Sequence, residues 1–399
     1  MGTVHRGGGA QVPFSREEYE ARNAQMKARM AQAGCEVLIV ADPANMNYLT
    51  GYDGWSFYVP QVVVLALDLD EPLWIGRQQD ASGARLTCWM ATTAIEHYPD
   101  DYVQSSSKHP MDYVADVLRR RRLDRAHIAV ELDAYYFTAL AGRRLEHALS
   151  QARFQDGSLW VNRIRIIKSE AEIVRMRRAA AIADETMATA IMGIAAGVRE
   201  CDVAGEIVRA QLRGTPEFGG DYPAIVPLMP SGARSGTPHL SWTDRRYAPG
   251  DALNIEIAGC YERYHVPLSR SVVIGPPSPN LSHLADVVVE GVDAALAAVK
   301  PGVACETVEA AWQAVLRRHG YSKESRVGYS VGLNYPPDWG EHTASLRPGD
   351  DTELVPNMTF HLIPGMWLDG YGLEISETFR VTATGCETFT QTERRLFIK

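Results

Sequence analysis

Ile166-Ile167-Lys168-Ser169-Glu170-Ala171-Glu172-Ile173-Val174-Arg175-Met176-Arg177-Arg178-Ala179-Ala180 divides the chain in two. Within it, Ser169 and Glu172 make a capping box: the serine hydroxyl accepts from the Glu172 amide while the glutamate side chain returns a bond to the serine amide. Ile173, Met176 and Ala180 then recur at helical spacing on one apolar face. A long helix is expected to open a second domain here. Downstream the pattern predicts a second helix near 203–212, short strands at 224–228, 252–258 and 269–274, and helices near 284–299 and 307–318. A final stretch is rich in Gly, Pro and aromatic residues. Helices followed by an antiparallel-looking sheet predict an α+β domain over residues 165–399.

Upstream, Ser15 with Glu18 three residues on, then Met26 and Met30 at helical spacing, predict a helix over 15–33. Val37-Leu38-Ile39-Val40, ended by Asp42-Pro43, reads as a buried strand, and 62–67 repeats that signature. A helical stretch over 111–121 precedes another strand at 128–130. Strands alternating with helices predict an α/β domain over residues 1–160.

The 399 residues carry 49 acids against 40 bases, a formal net charge of −9 with no long single-sign block. That argues against a nucleic-acid partner, which needs a concentrated basic surface. Six scattered cysteines without a CxxC pair read as reduced thiols. No apolar run approaches the roughly 18 residues needed to span a bilayer, and the polar, Gly-rich start lacks a signal-peptide core. A cytoplasmic protein with no membrane partner is expected.

The 166–180 stretch also resembles the start of the catalytic domain in the creatinase, prolidase and methionine-aminopeptidase superfamily, the pita-bread or peptidase M24-like fold. Ser231-Gly232 running to Pro238-His239, then Pro249-Gly250-Asp251, Pro356-Asn357-Met358 and Val381-Thr382 continue that order, and Asn47-Tyr48-Leu49-Thr50-Gly51 extends the likeness into the first domain. The resemblance implies an α/β N-terminal creatinase-like domain plus an α+β pita-bread C-terminal catalytic domain, and a homodimer.

Metallopeptidases of that superfamily hold two metal ions with two Asp, one His and two Glu, because bridging carboxylates neutralise paired cations. On the resemblance those five positions fall at Glu256, Pro267, Tyr329, Ile363 and Ser376. Proline and isoleucine offer no ligand atom and a neutral tyrosine replaces imidazole poorly. No metal and no other cofactor is expected, the alternative being ligands relocated to residues such as His361 and His265.

What remains suggests chemistry. His239 matches the superfamily's proton-handling His, whose ordinary pKa near neutrality suits a group that takes a proton from water and returns it to a leaving nitrogen. Strand alternation puts Glu256 on one face with Asn254 and Ala258, opposite Leu253, Ile255 and Ile257. A carboxylate on the inner wall without a metal calls for a cationic partner, and either holds that cation or attacks its electrophilic carbon. Glu377, one residue from a lost ligand position, is a further catalytic candidate. Tyr52, Trp55 and Phe57 in a glycine-punctuated loop, together with Trp242, Tyr329, Trp339, Glu341 and His361, are candidate substrate-binding residues, since aromatic faces stabilise a delocalised cation. In related dimers that loop reaches the partner's active site.

Three stretches, 51–58, 256–270 and 335–342, resemble the ectoine-hydrolase group within the superfamily. This implies ring opening of a cyclic amidine that carries a carboxylate, a cationic or zwitterionic small molecule. A creatinase-like amidinohydrolase acting on another delocalised C–N cation, and a non-catalytic pseudopeptidase that binds peptides, remain open alternatives.

Overall fold

Contacts in the computed structural model, which describes residues 4–5 and 11–399, separate the chain into two units, Met1–Arg165 and Ile166–Lys399.

In the first unit, strands β1 (Val4–His5) and β2 (Gln11–Val12) pair antiparallel ahead of helix α1 (Arg16–Gln32). Ser15 starts α1 by accepting from the Glu18 amide at 3.3 Å. Strand β3 (Val37–Val40) is wholly buried and ends at Asp42, whose carboxylate caps α2 (Pro43–Thr50) through the Asn45 amide at 3.0 Å. Gly51 closes that helix at φ +82°, where an added Cβ would lie 2.8 Å from the Thr87 carbonyl oxygen. There follow β4 (Val62–Ala66), β5 (Leu73–Arg77), α3 (Ala81–Thr87), β6 (Ile95–Tyr98), α4 (Pro110–Arg120), β7 (His127–Val130), α5 (Ala139–Ala148), β8 (Arg153–Asp156) and α6 (Asn162–Arg165). Six of the strands form one mixed sheet in the order β6-β5-β4-β3-β7-β8, with β3 parallel to β7 and antiparallel to β4.

In the second unit the capping box forms as its sequence requires: Glu172 N to Ser169 Oγ is 3.2 Å and Ser169 N to Glu172 Oε2 is 2.8 Å. It starts α7 (Glu170–Gly193), which is followed by α8 (Glu200–Arg213) and the long hairpin β9 (Ala252–Tyr261) and β10 (Tyr264–Val273). Leu253, Ile255 and Ile257 point into an apolar cluster with Ala183, Met187 and Ala190 of α7 and Val203 and Ile207 of α8. Burying each such aliphatic side chain contributes roughly 1.5–3 kcal/mol. The helix approaches the hairpin so closely that a Cβ on Gly259 would stand 1.9 Å from the Ala179 carbonyl oxygen. The opposite face of β9, carrying Asn254, Glu256 and Ala258, is thereby turned to the interior of the unit.

Helices α9 (Pro279–Ala298) and α10 (Cys305–Arg318) pack through Trp312, which is fully buried over Gly291. The chain then builds β11 (Gly328–Tyr335), β12 (Asp338–Leu346), β13 (Thr359–Leu362), the small hairpin β14 (Met366–Leu368) and β15 (Tyr371–Leu373), β16 (Glu377–Val381), β17 (Cys386–Thr388) and β18 (Phe397–Ile398). The main sheet runs β17-β16-β13-β11-β10-β18, with β12 on β11 and β9 on β10. One expected strand is absent: 224–228 makes only a single bridge, Leu228 to Glu256. Pro223, Pro227 and Pro230 deny it the amide donors that a ladder needs.

Candidate active site

The inner face of the β9–β10 hairpin is the floor of the site. Cross-strand pairing sets Glu256 opposite Ser269 and Asn254 opposite Ser271. Ser271 Oγ donates to Asn254 Oδ1 at 2.5 Å and accepts from the Glu374 amide at 2.8 Å, so the segment between β15 and β16 is laid against the same floor. Ser376 continues it, its amide donating to the Ser269 carbonyl at 3.1 Å and its hydroxyl accepting from the Ser269 amide at 2.7 Å.

Glu256 is 7% exposed, and among the described residues its carboxylate takes no hydrogen bond and no ion pair. Burial, then the charge of Glu374, then that of Asp338, push its pKa well above the ordinary glutamate range. Glu374 is itself buried and is pushed up to about 7, Lys323 and the Ser269 hydroxyl offsetting part of the desolvation. The charge of Glu374 raises the proton affinity of Glu256, so the two carboxyl groups do not titrate independently. At neutral pH and without ligand the pair is held short of its full double charge, a state a cation would reverse.

Beside the pair stands an aromatic wall. Tyr329 Oη accepts from Trp339 Nε1 at 2.8 Å and lies 3.2 Å from His361 Nδ1, while His361 Nε2 lies 2.9 Å from Ser376 Oγ. Ser376 Oγ accepts from the Ser269 amide; in the tautomer in which its proton is given to His361 Nε2, the Nδ1–H of His361 donates to Tyr329. The phenol then accepts twice, and its own proton is left for the side where Glu256 is the carboxylate it feels most strongly. Burial, with a smaller contribution from the Arg326 guanidinium, lowers His361 to about 3 and keeps it neutral. Burial and the charge of Glu256 keep Tyr329 protonated.

His239 sits on the loop between Ser231 and Thr243, which is fastened at both ends to one buried carboxylate. Glu200 accepts from Ser231 Oγ, from Thr243 N at 2.7 Å and from Thr243 Oγ1 at 2.8 Å. Asn254 Nδ2 holds the middle through the Ser235 carbonyl at 3.0 Å, and Gly236 allows a close approach to the Leu368 carbonyl, 2.6 Å from where a Cβ would stand. His239 itself is exposed and has φ +60°, a left-handed backbone conformation that costs a non-glycine residue energy and recurs at functional sites. A short backbone path joins it to the floor: Leu240 O accepts from Met229 N, and the adjacent Leu228 bridges Glu256.

The five metallopeptidase positions do not fit a two-metal centre. Pro267 and Ile363 have no donor atom, and the oxygens of Tyr329 and Ser376 are spent on Trp339, His361 and Ser269. Among the described residues no group of three or more His, Cys, Asp or Glu side chains is arranged to hold a metal ion. His265 does not substitute: its Nε2 accepts from the Ala224 amide at 2.9 Å.

Several candidates have other employment. Glu377 points away from Ser376, as alternation requires, and is bound by Arg270 Nη2 at 2.7 Å and Thr390 Oγ1 at 2.8 Å, an ion pair inside the sheet and not a catalytic group. Glu341 is wholly buried and chelated by Lys168 Nζ at 2.7 and 2.8 Å, so it is a structural counter-ion and not a substrate ligand. Trp339 and His361 are fully buried and both contact the Tyr329 hydroxyl. Trp242 packs on the α7–α8 cluster. In the first unit Tyr52 is a core residue, donating to Gln61 Oε1 at 2.9 Å and packed on Trp74, while Phe57 is buried against Trp55 and Tyr136; Trp55 stays exposed. Four site residues were not anticipated: Glu374, Asp338, Arg326 and Glu200. Only Asp338 lay within a stretch singled out from the sequence.

Residues 174–383 match the metallopeptidase family M24, and residues 22–167 match the creatinase/prolidase N-terminal domain. The chain is 44% identical to the ectoine hydrolase of Halomonas elongata over 97% of this chain and 99% of that one. It is 45% identical to an uncharacterized hydrolase/peptidase of Sinorhizobium fredii, over 97% and 98%. Among solved structures, the prolidase of Thermococcus sibiricus superposes with a TM-score of 0.83 at 21% identity, covering 96% of this chain and 99% of that one. The X-Pro aminopeptidase of Thermotoga maritima gives 0.80 at 22%, covering 94% and 99%. This chain, a hydrolase of C–N bonds, belongs to the metallopeptidase family M24 with a creatinase/prolidase N-terminal domain.

Proposed function

We propose that the chain hydrolyses ectoine, a cyclic amidine bearing a carboxylate, to N-acetyl-2,4-diaminobutyrate, and does so without a metal ion. The observation that carries this reading is Glu256: a buried carboxylate with no hydrogen-bond or ion-pair partner, paired with a second carboxylate, at a position where metallopeptidases of the family bind a cation. An amidinium brings its own positive charge. Binding it beside Glu256 offsets the burial and the Glu374 charge that raise the Glu256 pKa.

The reaction asks for few parts. The amidinium carbon is already electrophilic and needs no Lewis acid to polarise it. Water adds to that carbon, or Glu256 adds first and water then releases the product; one ring C–N bond breaks, and the leaving nitrogen receives a proton. His239 takes the proton from water and delivers it to that nitrogen. The Tyr329 hydroxyl supplies a donor whose direction is set in advance by Trp339 and His361.

The same reading includes a homodimer in the cytoplasm. Exposed Trp55 and Tyr58 in the first unit support the dimer, and among the described residues no helix is long and apolar enough to cross a membrane. Steady-state assays with ectoine, hydroxyectoine and creatine, with products identified by mass spectrometry, test the substrate. N-acetyl-2,4-diaminobutyrate from ectoine is the expected product. Turnover of creatine with none of ectoine would move the chain to the amidinohydrolases.

A further inference from the structure

Arg326 is a half-buried cation that, among the described residues, forms no ion pair. Among the described residues its guanidinium makes one hydrogen bond, from Nη1 to Ser345 Oγ at 3.2 Å, and lies within ion-pair distance of no carboxylate. Several other shielded arginines of the same unit meet carboxylates, Arg175 with Glu262 at 2.8 Å, Arg270 with Glu377 at 2.7 Å and Arg380 with Glu170, while Arg178 binds the Tyr261 hydroxyl. Withdrawing a guanidinium from water without an anion is costly, and a position that carries the cost is expected to meet its counter-ion from outside.

The location says which counter-ion. Arg326 lies over the ring of Tyr329, its Cζ 4.4 Å from the ring centroid, and its charge also reaches Asp338 and His361. Tyr329 thus feels opposite charges, from the Glu256 carboxylate and from the Arg326 guanidinium over its ring. The rival cation, Lys323, is committed: Nζ donates to the Gly365 carbonyl at 2.6 Å, and its charge supports Glu374. Carboxyl groups at Glu256 and Glu374 with a guanidinium at Arg326 have the polarity of a small zwitterion whose carboxylate is borne on the carbon next to its amidinium nitrogen.

We propose that Arg326 anchors the substrate's carboxylate, fixing which way the amidinium ring faces Glu256 and selecting zwitterionic amidines over purely cationic ones. This rests on the amidine-hydrolase reading above and adds the second point of attachment. A planar guanidinium fork matches a carboxylate in two parallel bonds, which an ammonium does not.

The test compares two substrates on one enzyme: ectoine, and the same methyl-tetrahydropyrimidine ring lacking its carboxylate. Arg326→Gln is expected to lower kcat/KM for ectoine roughly 10- to 100-fold, mainly through KM, as for a lost bond between charged groups. The same change should leave the carboxylate-free amidine within about twofold. Arg326→Lys should recover part of the loss on ectoine alone. The ratio between substrates is measured on one preparation, so a partly misfolded variant does not distort it. Equal losses on both substrates would make Arg326 a prop for Tyr329 and overturn the proposal, as would an unchanged kcat/KM for ectoine. If the wild-type enzyme turns over neither amidine, the hydrolase reading itself falls and takes this inference with it. Ectoine turnover with an unaltered ratio removes the anchor alone.

Discussion

Replacing Glu374 by glutamine makes the electrostatic strain of the site measurable. Its carboxyl is raised from 4.5 to about 7, mainly by burial, and it lies among the charges of Glu256 and Lys323. For a carboxyl whose folded pKa is raised, the associated stability is fully present below the unfolded value near 4.5 and is lost as pH climbs through about 7. Above that window the ionised side chain costs the fold about 3 kcal/mol, taking about 1.4 kcal/mol per unit. Losing its support for the Lys323 charge returns part of this, so a gain of about 1–3 kcal/mol is expected for Glu374→Gln at pH 8. For a unit of this size that is a melting temperature higher by about 2–10 °C. Ligand-free melting curves at pH 4 and pH 8 provide the assay: wild type and variant should nearly coincide at the lower pH and separate at the higher. The acidic limb of kcat/KM should move to lower pH, because Glu256 loses the neighbouring charge that raises it. A variant less stable than wild type at pH 8, or equally displaced at both pH values, would refute the carboxylate-pair account.

His239→Ala should lower turnover roughly 10²- to 10⁴-fold while leaving the melting temperature nearly unchanged, since the side chain is exposed; near-normal turnover would remove it from the mechanism. Glu341→Ala strands Lys168 in the interior and should destabilise the second unit by about 3–5 kcal/mol, read by denaturant unfolding. Tyr329→Phe leaves Trp339 Nε1 and the His361 ring without their acceptor and should cost about 1–3 kcal/mol in stability together with a fall in kcat, checked by parallel melts and kinetics.

What the sequence disclosed was local. The Ser169 box, the cap at Ser15 and the alternation along β9 are signals between residues two to four apart, and each appears in the structure at the expected place. Glu256 was legible because alternation assigns it a face, and the replaced metal positions were legible because proline and isoleucine lack donors whatever the fold. Partnerships across the sheet were not. Glu377 looked catalytic until Arg270, 107 residues away, was seen to hold it, and Glu341 is held by Lys168 across 173 residues. Glu374 escaped notice because it lies between two strands, where no period assigns it a side. Arg326 escaped because a cation lacking an anion is conspicuous only after every carboxylate has been placed.

The central claim, that an amidine's own charge stands where relatives use cations, is tested most directly by assaying ectoine hydrolysis with exhaustively chelated protein whose metal content has been measured by elemental analysis. Unchanged turnover with no stoichiometric metal is the predicted result. Activity that disappears on chelation and returns with a divalent ion in proportion to its binding would contradict it.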